Sequence, residues 1–495
     1  MNFFAPAKLP RGAANPRVLL LCALLCATAG NSQSAQPAAK RAASNASLPV
    51  LLLSDIHFEP FWDPDRVAQL DGAPVAKWNA ILASPPSIGR QRSFDALQQS
   101  CNANGTDTSF TLYQSALREM RNDAAGASFI AVSGDLIAHK FHCKYFTLFQ
   151  KATNAQYQAF VEKTLEYVIG ELKASFPKTP TYTALGNNDS ACEDYLLDAG
   201  SSFLKETGSI VTRDFPAIER QDAEQSFTDG GYYSVFLPAP IQNARLLVLD
   251  DLFMSRSYRT CAGVLDPTAA DPQVAWLGRQ LALARAGKQK VWVMGHIPPG
   301  VDLYSTAKRS SGICGTQKPV MFLSSEKMAD VMAAYGDVIE LAIFAHTHMD
   351  ELRLLQGSNP TTPPVAVKMV SSISPVHQNL PSFTLARIDP SSAALIDYRV
   401  FSSPNLTGGN AKWKPEYDFA TSFSKSDFSA SSLSALISAF AADPGANTKA
   451  SQNYIGDFSA GNSSTVLQLF WPQYVCALSN HTQQAFTACA CGNHP

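Results

Sequence analysis

The chain has 495 residues, of which 46% are hydrophobic and 16% are charged, and its formal net charge is -2. This length and composition predict a globular protein with a large core and exclude a disordered chain. Because the charges nearly balance, they give no sign of nucleic acid or an anionic membrane as a partner.

The N-terminal residues have the pattern of a cleaved secretory signal peptide, assigned to residues 1–29. Basic residues precede an apolar run from Val18 to Ala27, and small side chains follow at Ala27 and Ala29. The run is shorter than the roughly 20 apolar residues that a membrane span needs. Residues 30–47 are rich in Ala, Ser, Gln and Pro and are predicted to form a disordered lead-in.

Residues 48–402 alternate between strand-like and helix-like runs, which predicts an α/β domain with a layered sheet. The candidate strands are short and bounded by Gly, Asn or Asp: Pro49–Ser54, Ser128–Ser133, Thr181–Leu185, Arg245–Asp250, Lys290–Met294 and Glu340–Ala345. The candidate helices are Thr111–Asp123, Ala155–Ser175, Pro272–Ala286 and Ser325–Tyr335.

Three later runs have no helix between them and are predicted to be antiparallel strands that finish a sheet: Val365–Ser371, Phe383–Ile388 and Ala394–Val400. From about Ser403 the composition shifts to Ser, Ala, Asn and Gly, and further helix-like runs follow. We therefore expect a larger domain over residues 48–402 and a small C-terminal helical subdomain over residues 403–495.

Eight cysteines remain after the predicted cleavage, three of them in the C-terminal subdomain. An even number of cysteines in an oxidising compartment indicates disulfides, although it does not fix their pairing. Cys489-Ala-Cys491 has the spacing of half a metal site, but no second Cys/His cluster lies nearby in the sequence. Disulfides are therefore favoured over a zinc site there.

Seven residues with metal-ligand side chains follow short apolar runs. They form five motifs: Asp55-Ile-His57, Gly134-Asp135, Gly186-Asn187, Gly295-His296 and His346-Thr-His348. Each motif alone is common by chance, but loops at the carboxyl ends of strands can bring all of them to one point. Carboxylate, amide and imidazole ligands suit zinc, iron or manganese better than magnesium or calcium.

The order D-x-H, GD, GN-x-D, GH and GH-x-H resembles the signature of calcineurin-like metallophosphoesterases. Three longer segments are similar to motifs of the acid sphingomyelinase-like branch of that family: Ser54–Asp63, Gly295–Gly300 and His346–Glu351. The resemblance implies a layered β-sandwich flanked by helices, with a catalytic domain over residues 48–402. It also implies hydrolysis of a phosphodiester by a hydroxide that bridges two divalent metals.

The resemblance assigns a role to each ligand-type residue, position by position. The first metal, expected to be zinc with iron or manganese as alternatives, is held by Asp55, His57 and His348. The second metal is held by Asn187, His296 and His346, and Asp135 bridges both. The same branch has a cysteine pair near its end at a spacing similar to that of Cys476 and Cys489, with Cys491 as a competing partner.

The chain departs from the family at Asn188, where relatives have a histidine. An amide can bind a phosphate oxygen but cannot protonate a leaving group. His139 matches a second histidine of the sphingomyelinase branch that lies over the site, so it is the leading candidate for the acid. His142 is a weaker candidate, and a good leaving group would need no acid.

The predicted function is that of a secreted two-metal phosphodiesterase acting on a small-molecule or lipid phosphodiester, with no duplex nucleic acid and no stable membrane anchor as partners. About twenty residues separate the predicted signal from the first strand, too few for the saposin domain of acid sphingomyelinase. Two alternatives stay open. One is a phosphoanhydride hydrolase acting on nucleotides or polyphosphate, and the other is a metal-bearing binding protein that has lost turnover.

Overall fold

Two six-stranded sheets form the centre of the molecule in the computed structural model, which describes residues 47–461 and 465–492. The predicted signal peptide and, apart from residue 47, the predicted lead-in lie outside the described residues. The strands are β1 (Leu48–Leu53), β2 (Ile130–Ser133), β3 (Thr181–Ala184), β4 (Tyr233–Phe236), β5 (Ala244–Val248), β6 (Lys290–Met294), β7 (Ile339–Phe344), β8 (Glu351–Leu355), β9 (Val365–Met369), β10 (Ser382–Ile388), β11 (Leu395–Ser402) and β12 (Lys414–Asp418).

Helices cover the sheets and form most of the C-terminal region. They are α1 (Val67–Gly72), α2 (Trp78–Leu82), α3 (Arg90–Ser100), α4 (Phe110–Asp123), α5 (Phe141–Leu148), α6 (Asn154–Ser175), α7 (Ser202–Thr212), α8 (Ala217–Gly230), α9 (Asp271–Ala286), α10 (Leu303–Ala307), α11 (Lys327–Ala333), α12 (Phe419–Phe423), α13 (Ala430–Ala441), α14 (Lys449–Asp457), α15 (Thr465–Leu469), α16 (Trp471–Ser479) and α17 (Gln483–Cys491).

The first sheet has the order β12-β11-β10-β1-β2-β3, and the second has the order β4-β5-β6-β7-β9-β8. Strands β1, β2 and β3 are parallel, as are β5, β6, β7 and β9, whereas β10, β11 and β12 in the first sheet and β4 and β8 in the second pair antiparallel. Parallel strands that are covered on both faces are continuously apolar, and β1 shows this with Val50–Leu53, all fully buried.

The two sheets pack face to face across one apolar core. Phe129, just before β2, meets Trp292 of β6 edge to face with ring centroids 5.5 Å apart. The Tyr233 hydroxyl of β4 accepts a hydrogen bond from the Thr183 amide of β3 at 2.9 Å. Leu277 and Leu281 of α9 pack with the outer face of the second sheet. The predicted fold class, a layered β-sandwich flanked by helices, is confirmed.

The prediction that the three late strands finish one sheet is wrong for β9. Strand β9 pairs parallel to β7 in the second sheet, whereas β10 and β11 pair antiparallel in the first. The chain crosses from one sheet to the other between β9 and β10, and the lack of a helix between two strands does not fix their partners. Strand β12, Lys414–Asp418, is charged and half exposed, and it lies in the region predicted to be helical.

The C-terminal helices pack against the edge of the second sheet through buried polar contacts. The Tyr474 hydroxyl of α16 donates a hydrogen bond to Glu351 of β8 at 2.8 Å. Four disulfides pair the eight cysteines of the described region: Cys101–Cys143, Cys192–Cys261, Cys314–Cys491 and Cys476–Cys489. The predicted Cys476–Cys489 pair is confirmed. Within the described residues, no helix has the length and hydropathy needed to cross a bilayer.

Candidate metal centre

The seven predicted metal ligands meet where five strands end. They lie in the loops that follow β1 (Asp55 and His57), β2 (Asp135), β3 (Asn187), β6 (His296) and β7 (His346 and His348). The first three of these strands are parallel neighbours in one sheet, and the last two are parallel neighbours in the other. Their carboxyl ends therefore present all five loops to one place.

Five of these seven residues have a left-handed backbone, which is uncommon for residues other than glycine. Their φ angles are 44° at Asp55, 43° at His57, 55° at Asp135, 70° at His346 and 64° at His348. Each such residue stores about 1–3 kcal/mol of strain, and strain of this kind clusters at functional sites. The surrounding structure enforces it, since the amide of His57 donates a hydrogen bond to the Asp135 carbonyl at 2.9 Å.

Gly186 is required by close packing against the centre. A Cβ atom at this position would lie within 2.1 Å of Oδ1 of Asp135. Only glycine therefore lets the loop after β3 approach the predicted bridging carboxylate, which explains the first residue of the Gly186-Asn187 motif.

Asp55, His57 and His348 form one half of the centre. The His57 Nδ1 donates a hydrogen bond to the Ile137 carbonyl at 2.9 Å, so Nε2 of that ring faces inward. This nitrogen lies 3.2 Å from Nε2 of His348, and the latter lies 3.4 Å from Oδ1 of Asp55. Ser54 holds the other oxygen of Asp55 at 2.7 Å.

Asn187, His296 and His346 form the other half. The His296 Nδ1 donates a hydrogen bond to the Ser133 carbonyl at 2.7 Å, and its Nε2 lies 3.2 Å from Oδ1 of Asn187. The Asn187 amide nitrogen donates a hydrogen bond to Asp194 at 2.7 Å, which turns the amide oxygen towards His296. The rings of His296 and His346 meet edge to face at 5.2 Å.

Asp135, the predicted bridging ligand, lies between the two halves. Its Oδ2 atom is 3.4 Å from Nε2 of His57 and 3.2 Å from Nε2 of His296. Asn188 orients this carboxylate, because its backbone amide donates a hydrogen bond to Oδ1 at 2.8 Å and its side-chain amide donates one to Oδ2 at 2.9 Å. The side chain of Asn188 therefore fixes the central carboxylate, a contact that the sequence did not indicate.

The residues present fit a pair of divalent cations. Oδ1 of Asp55 is buried without a hydrogen-bond partner among the described residues, and it lies 3.7 Å, 3.4 Å and 4.0 Å from Nε2 of His57, His348 and His296. A buried carboxylate oxygen needs a proton, a donor or a cation to offset its desolvation. Among the described residues, three sets of ligand atoms lie close enough together to hold a metal: Asp55, His57 and Asp135; Asp135, His296 and His346; and His57, His139 and His348.

The electric field of the centre favours positive charge between the two halves. Burial opposes protonation of His57, but the carboxylates of Asp135, Asp55 and Asp107 together outweigh it and raise the pKa of His57 to about 9. The pKa of His296 rises to about 10 because neighbouring carboxylates again outweigh burial. Burial and the neighbouring His296 lower the pKa of His346 to about 3. Burial also opposes charge on Asp135, yet His296 and His57 outweigh it and hold the Asp135 pKa below its usual range.

His139, the predicted leaving-group acid, lies beside the first half of the centre. Its ring stacks on that of His57 with centroids 4.0 Å apart. Its Nδ1 lies 3.0 Å from Oδ1 of Asp107, and its backbone amide donates a hydrogen bond to Oδ2 of the same carboxylate at 2.8 Å. His139 also has a ligand atom near those of His57 and His348, so its geometry admits a ligand role as well.

Asp107, Tyr195 and Asp194, which orients Asn187, are residues at the centre that the sequence analysis did not predict. The Asp107 side chain is buried and accepts hydrogen bonds from His139 and, at 2.9 Å, from the Ser374 hydroxyl. Asp107 lies in a Thr-Asp-Thr-Ser sequence before α4, which is typical of a helix cap and does not suggest a functional site. Ser109 does cap that helix. The Tyr195 hydroxyl lies 3.3 Å from Nε2 of His346, and no motif marks it.

His142, the weaker candidate for the acid, lies elsewhere. Its ring packs against Phe146 and Tyr157, with centroids 4.6 Å and 5.0 Å away, and it lines a separate cavity. His377, by contrast, packs on His348 with ring centroids 4.4 Å apart and forms part of the rim of the centre.

The family model for calcineurin-like phosphoesterases matches residues 48–350, which include every predicted ligand. The chain therefore belongs to the calcineurin-like phosphoesterase family, a class of metal-dependent phosphodiesterases. The resemblance on which the sequence analysis relied is confirmed.

The curated relatives belong to the acid sphingomyelinase-like group. Sphingomyelinase phosphodiesterase C of Dictyostelium discoideum is 26% identical over 63% of this chain and 66% of its own length. The cyclic GMP-AMP phosphodiesterase SMPDL3A of Bos taurus is 26% identical over 77% of this chain and 80% of its own length. Among solved structures, a dimetal phosphatase of Danio rerio covers 72% of this chain and 96% of its own length, with 13% identity and a TM-score of 0.39.

Proposed function

We propose that this protein is a secreted two-metal phosphodiesterase that hydrolyses a soluble phosphodiester. The observation that carries the proposal is the position of the Asp135 carboxylate between the imidazoles of His57 and His296, with a ligand set on each side. Two divalent metals held there supply a nucleophile at neutral pH and neutralise the oxygens of the phosphate. Imidazole, carboxylate and amide ligands favour zinc, with iron or manganese as alternatives.

Groups around the centre orient the side chains of His57, His296 and Asp135. Ile137 and Ser133 accept hydrogen bonds from the outer ring nitrogens of His57 and His296, which fixes the rotation of both rings. Asn188 holds both oxygens of Asp135. The centre is therefore organised before substrate arrives, which is what electrostatic stabilisation of a phosphoryl transition state requires.

His139 supplies the proton for the departing oxygen in this proposal. Asp107 binds its Nδ1 side, so we assign Nε2 to the substrate. Stacking against His57 holds the ring over the half of the centre that contains Asp55. This arrangement gives the chain an acid even though Asn188 stands where relatives have a histidine.

Secretion and the substrate class rest on separate observations. Four disulfides suit an oxidising compartment, in keeping with the signal peptide expected from the sequence. The relatives are named for sphingomyelin and for cyclic GMP-AMP, two phosphodiesters. A small-molecule phosphodiester is the shared chemistry and is our proposal for this chain.

Metal analysis combined with a substrate panel tests the proposal. The purified protein should hold two transition metals per chain and should hydrolyse bis(4-nitrophenyl) phosphate. Asp135→Asn should lose most of the metal and the activity together, because the bridging carboxylate carries charge for both cations. Asp95→Asn, an exposed acid on α3, is the matched control and should keep both.

Three outcomes would contradict the proposal. Folded protein that binds no metal rejects the metal centre. Protein with two metals and no turnover of any ester supports the alternative of a binding protein. Turnover of polyphosphate or nucleoside triphosphate without turnover of diesters supports the phosphoanhydride hydrolase.

A further inference from the structure

Tyr195 reaches the second half of the metal centre, which contains His296 and His346, from the loop that follows β3. Its hydroxyl oxygen lies 3.3 Å from Nε2 of His346, and the two rings are nearly perpendicular with centroids 6.3 Å apart. Asp55, His57 and His296 are fully buried, whereas Tyr195 and His346 are half-buried. Tyr195 therefore lies on the side of the centre that is open to solvent, from which a substrate must enter.

The backbone of Tyr195 is held in a left-handed conformation, with a φ angle of 62°. A bulky aromatic residue rarely adopts this conformation, and such strain clusters at functional sites. The Tyr195 amide donates a hydrogen bond to the Asn187 carbonyl at 3.0 Å, and the Tyr195 carbonyl accepts one from the Arg259 amide at 3.0 Å. The Cys192–Cys261 disulfide ties the same loop to the segment that contains Arg259. The surrounding structure therefore fixes this residue at the centre before a substrate binds.

The hydrogen of the Tyr195 hydroxyl has no acceptor in the centre. A neutral imidazole that binds a metal uses one ring nitrogen for the metal and carries a hydrogen on the other. If Nε2 of His346 binds the metal, its lone pair is taken and it cannot accept a hydrogen bond. If Nδ1 binds the metal, Nε2 carries the hydrogen and donates it to the Tyr195 oxygen. In both cases the O–H of Tyr195 is left to donate elsewhere, and no other acceptor among the described residues lies within hydrogen-bond distance of it.

Packing against His346 does not by itself require a hydroxyl group. Phe322 packs on the same imidazole edge to face, with ring centroids 5.7 Å apart, and its ring has no polar atom. A hydroxyl group that leaves water without a partner for its hydrogen costs free energy. A ligand that accepts a hydrogen bond from Tyr195 therefore explains this hydroxyl better than support of His346 alone.

We propose that Tyr195 donates a hydrogen bond to a non-bridging oxygen of the phosphoryl group bound at the second half of the centre. This inference rests on the proposed phosphodiesterase function. A non-bridging oxygen carries part of the negative charge of the phosphate, and hydrogen bonds to charged acceptors are stronger than those to neutral ones. Tyr195 keeps its proton throughout, so its role differs from that of His139, which stacks on His57 in the first half.

Tyr195→Phe removes the hydroxyl and keeps the ring, so the binding of inorganic phosphate to the two-metal protein tests the proposal. Phosphate has the oxygens of a phosphoryl group and no leaving group, and its affinity therefore reports the contact independently of turnover. Isothermal titration calorimetry should give a Kd for phosphate that is about tenfold or more higher in the variant than in the wild type. Metal analysis should find two metals per chain in both proteins.

The kinetics of Tyr195→Phe should not depend on the leaving group. A hydrogen bond to a non-bridging oxygen is present whichever ester bond breaks. The value of kcat/KM should therefore fall by a similar factor for matched alkyl and nitrophenyl diesters. This pattern differs from the one expected for a leaving-group acid, whose loss affects alkyl diesters most.

Tyr258→Phe is the matched control. The Tyr258 side chain is buried, and its hydroxyl donates a hydrogen bond to the Leu197 carbonyl at 3.0 Å. This change removes a hydroxyl that holds the same loop but does not touch a predicted ligand. It should leave the metal content and the Kd for phosphate unchanged. A rise in Kd as large as that of Tyr195→Phe would attribute the effect to the loop and overturn the proposal.

Loss of a metal from Tyr195→Phe would also overturn the proposal, because the hydroxyl would then support His346. An unchanged Kd for phosphate would do the same, as would a loss confined to alkyl diesters, which would make Tyr195 a leaving-group acid. Each of these outcomes leaves the phosphodiesterase function intact. A wild-type protein that holds no metal, or that hydrolyses no diester, would reject the proposed function and this inference with it.

Discussion

The carboxylate of Asp107 holds His139 at two points, at Nδ1 of the ring (3.0 Å) and at the backbone amide (2.8 Å). The two residues are 32 positions apart in the chain, and the Ser374 hydroxyl donates a further hydrogen bond to the same carboxylate. Burial opposes charge on Asp107, but His139, His57 and Lys144 together outweigh it and keep the Asp107 pKa below its usual range. A buried, ionised carboxylate on one ring nitrogen fixes which nitrogen of the imidazole can serve the substrate.

Removal of the His139 side chain should affect substrates according to their leaving group. His139→Ala should lower turnover of alkyl phosphodiesters by about 10²–10⁴-fold, because an alkoxide needs a proton as it departs. It should affect nitrophenyl esters far less. Rates on matched alkyl and nitrophenyl diesters measure the difference.

The metal content of His139→Ala separates the acid from a ligand, since His139 also lies near His57 and His348. Two metals per chain should remain. Loss of one metal would assign His139 to the metal centre, and equal losses on both classes of ester would assign it to phosphate binding or to structure.

Asp107→Asn should reproduce part of the defect of His139→Ala. An asparagine keeps the size of the side chain but no longer favours the Nδ1–H form of the imidazole. We expect turnover of alkyl diesters to fall more than turnover of nitrophenyl diesters. We also expect the pH dependence of kcat to change. Ser374→Ala, which removes a hydroxyl from the same carboxylate, should have a smaller effect of the same kind. A change in metal content without a change in the pH profile would argue against a positioning role.

Asp457, the last residue of α14, should make the fold less stable as the pH rises. Burial and the nearby Asp350 and Glu416 raise its pKa to about 8, against about 3.9 in an unfolded chain. Between these two values the folded state holds a proton that the unfolded state has released, so this residue lowers the free energy of unfolding as the pH increases across that window.

Asp457→Asn should therefore be more stable than the wild type at pH 8, by about 1–3 kcal/mol, and nearly equal to it at pH 4. Urea unfolding at the two pH values measures this. Asp65→Asn, at an exposed position, serves as the control. If the wild type had a higher free energy of unfolding than Asp457→Asn, by the same amount at both pH values, Asp457 would contribute a hydrogen bond instead of a buried charge.

The Cys314–Cys491 disulfide should contribute strongly to stability, because it joins residues 177 positions apart. Changing both cysteines to serine should lower the free energy of unfolding by about 2–5 kcal/mol. The same change at Cys476 and Cys489, which are 13 positions apart, should have a smaller effect. Denaturant melts of the two double variants test the order, and a larger loss for the short loop would contradict the chain-entropy argument.

The sequence indicates the seven candidate ligands because each follows a buried strand with a strong apolar pattern, and the structure brings their side chains together. Asp107 and Tyr195 escape prediction because they reach the centre from loops that no motif marks. Strand β8 is not predicted from the sequence, for another reason. Its Glu351 and Arg353 are buried and paired with each other, so its alternation of charged and apolar residues suggests an exposed surface.

Sheet membership is the part of the fold that local sequence could not determine. Val365–Met369 has the same composition of β-branched and apolar residues as the strands of either sheet. Its place beside β7 depends on how the chain crosses between the layers, which is a property of the folded molecule.

The left-handed backbone at five of the seven predicted ligands affects how this chain can change over evolutionary time. A substitution such as His346→Gly removes a predicted ligand and, at the same position, relieves backbone strain. Mutations that abolish activity can therefore increase the stability of the metal-free folded state. Variants of this fold can therefore retain the structure while losing activity, and selection for activity is what preserves these side chains.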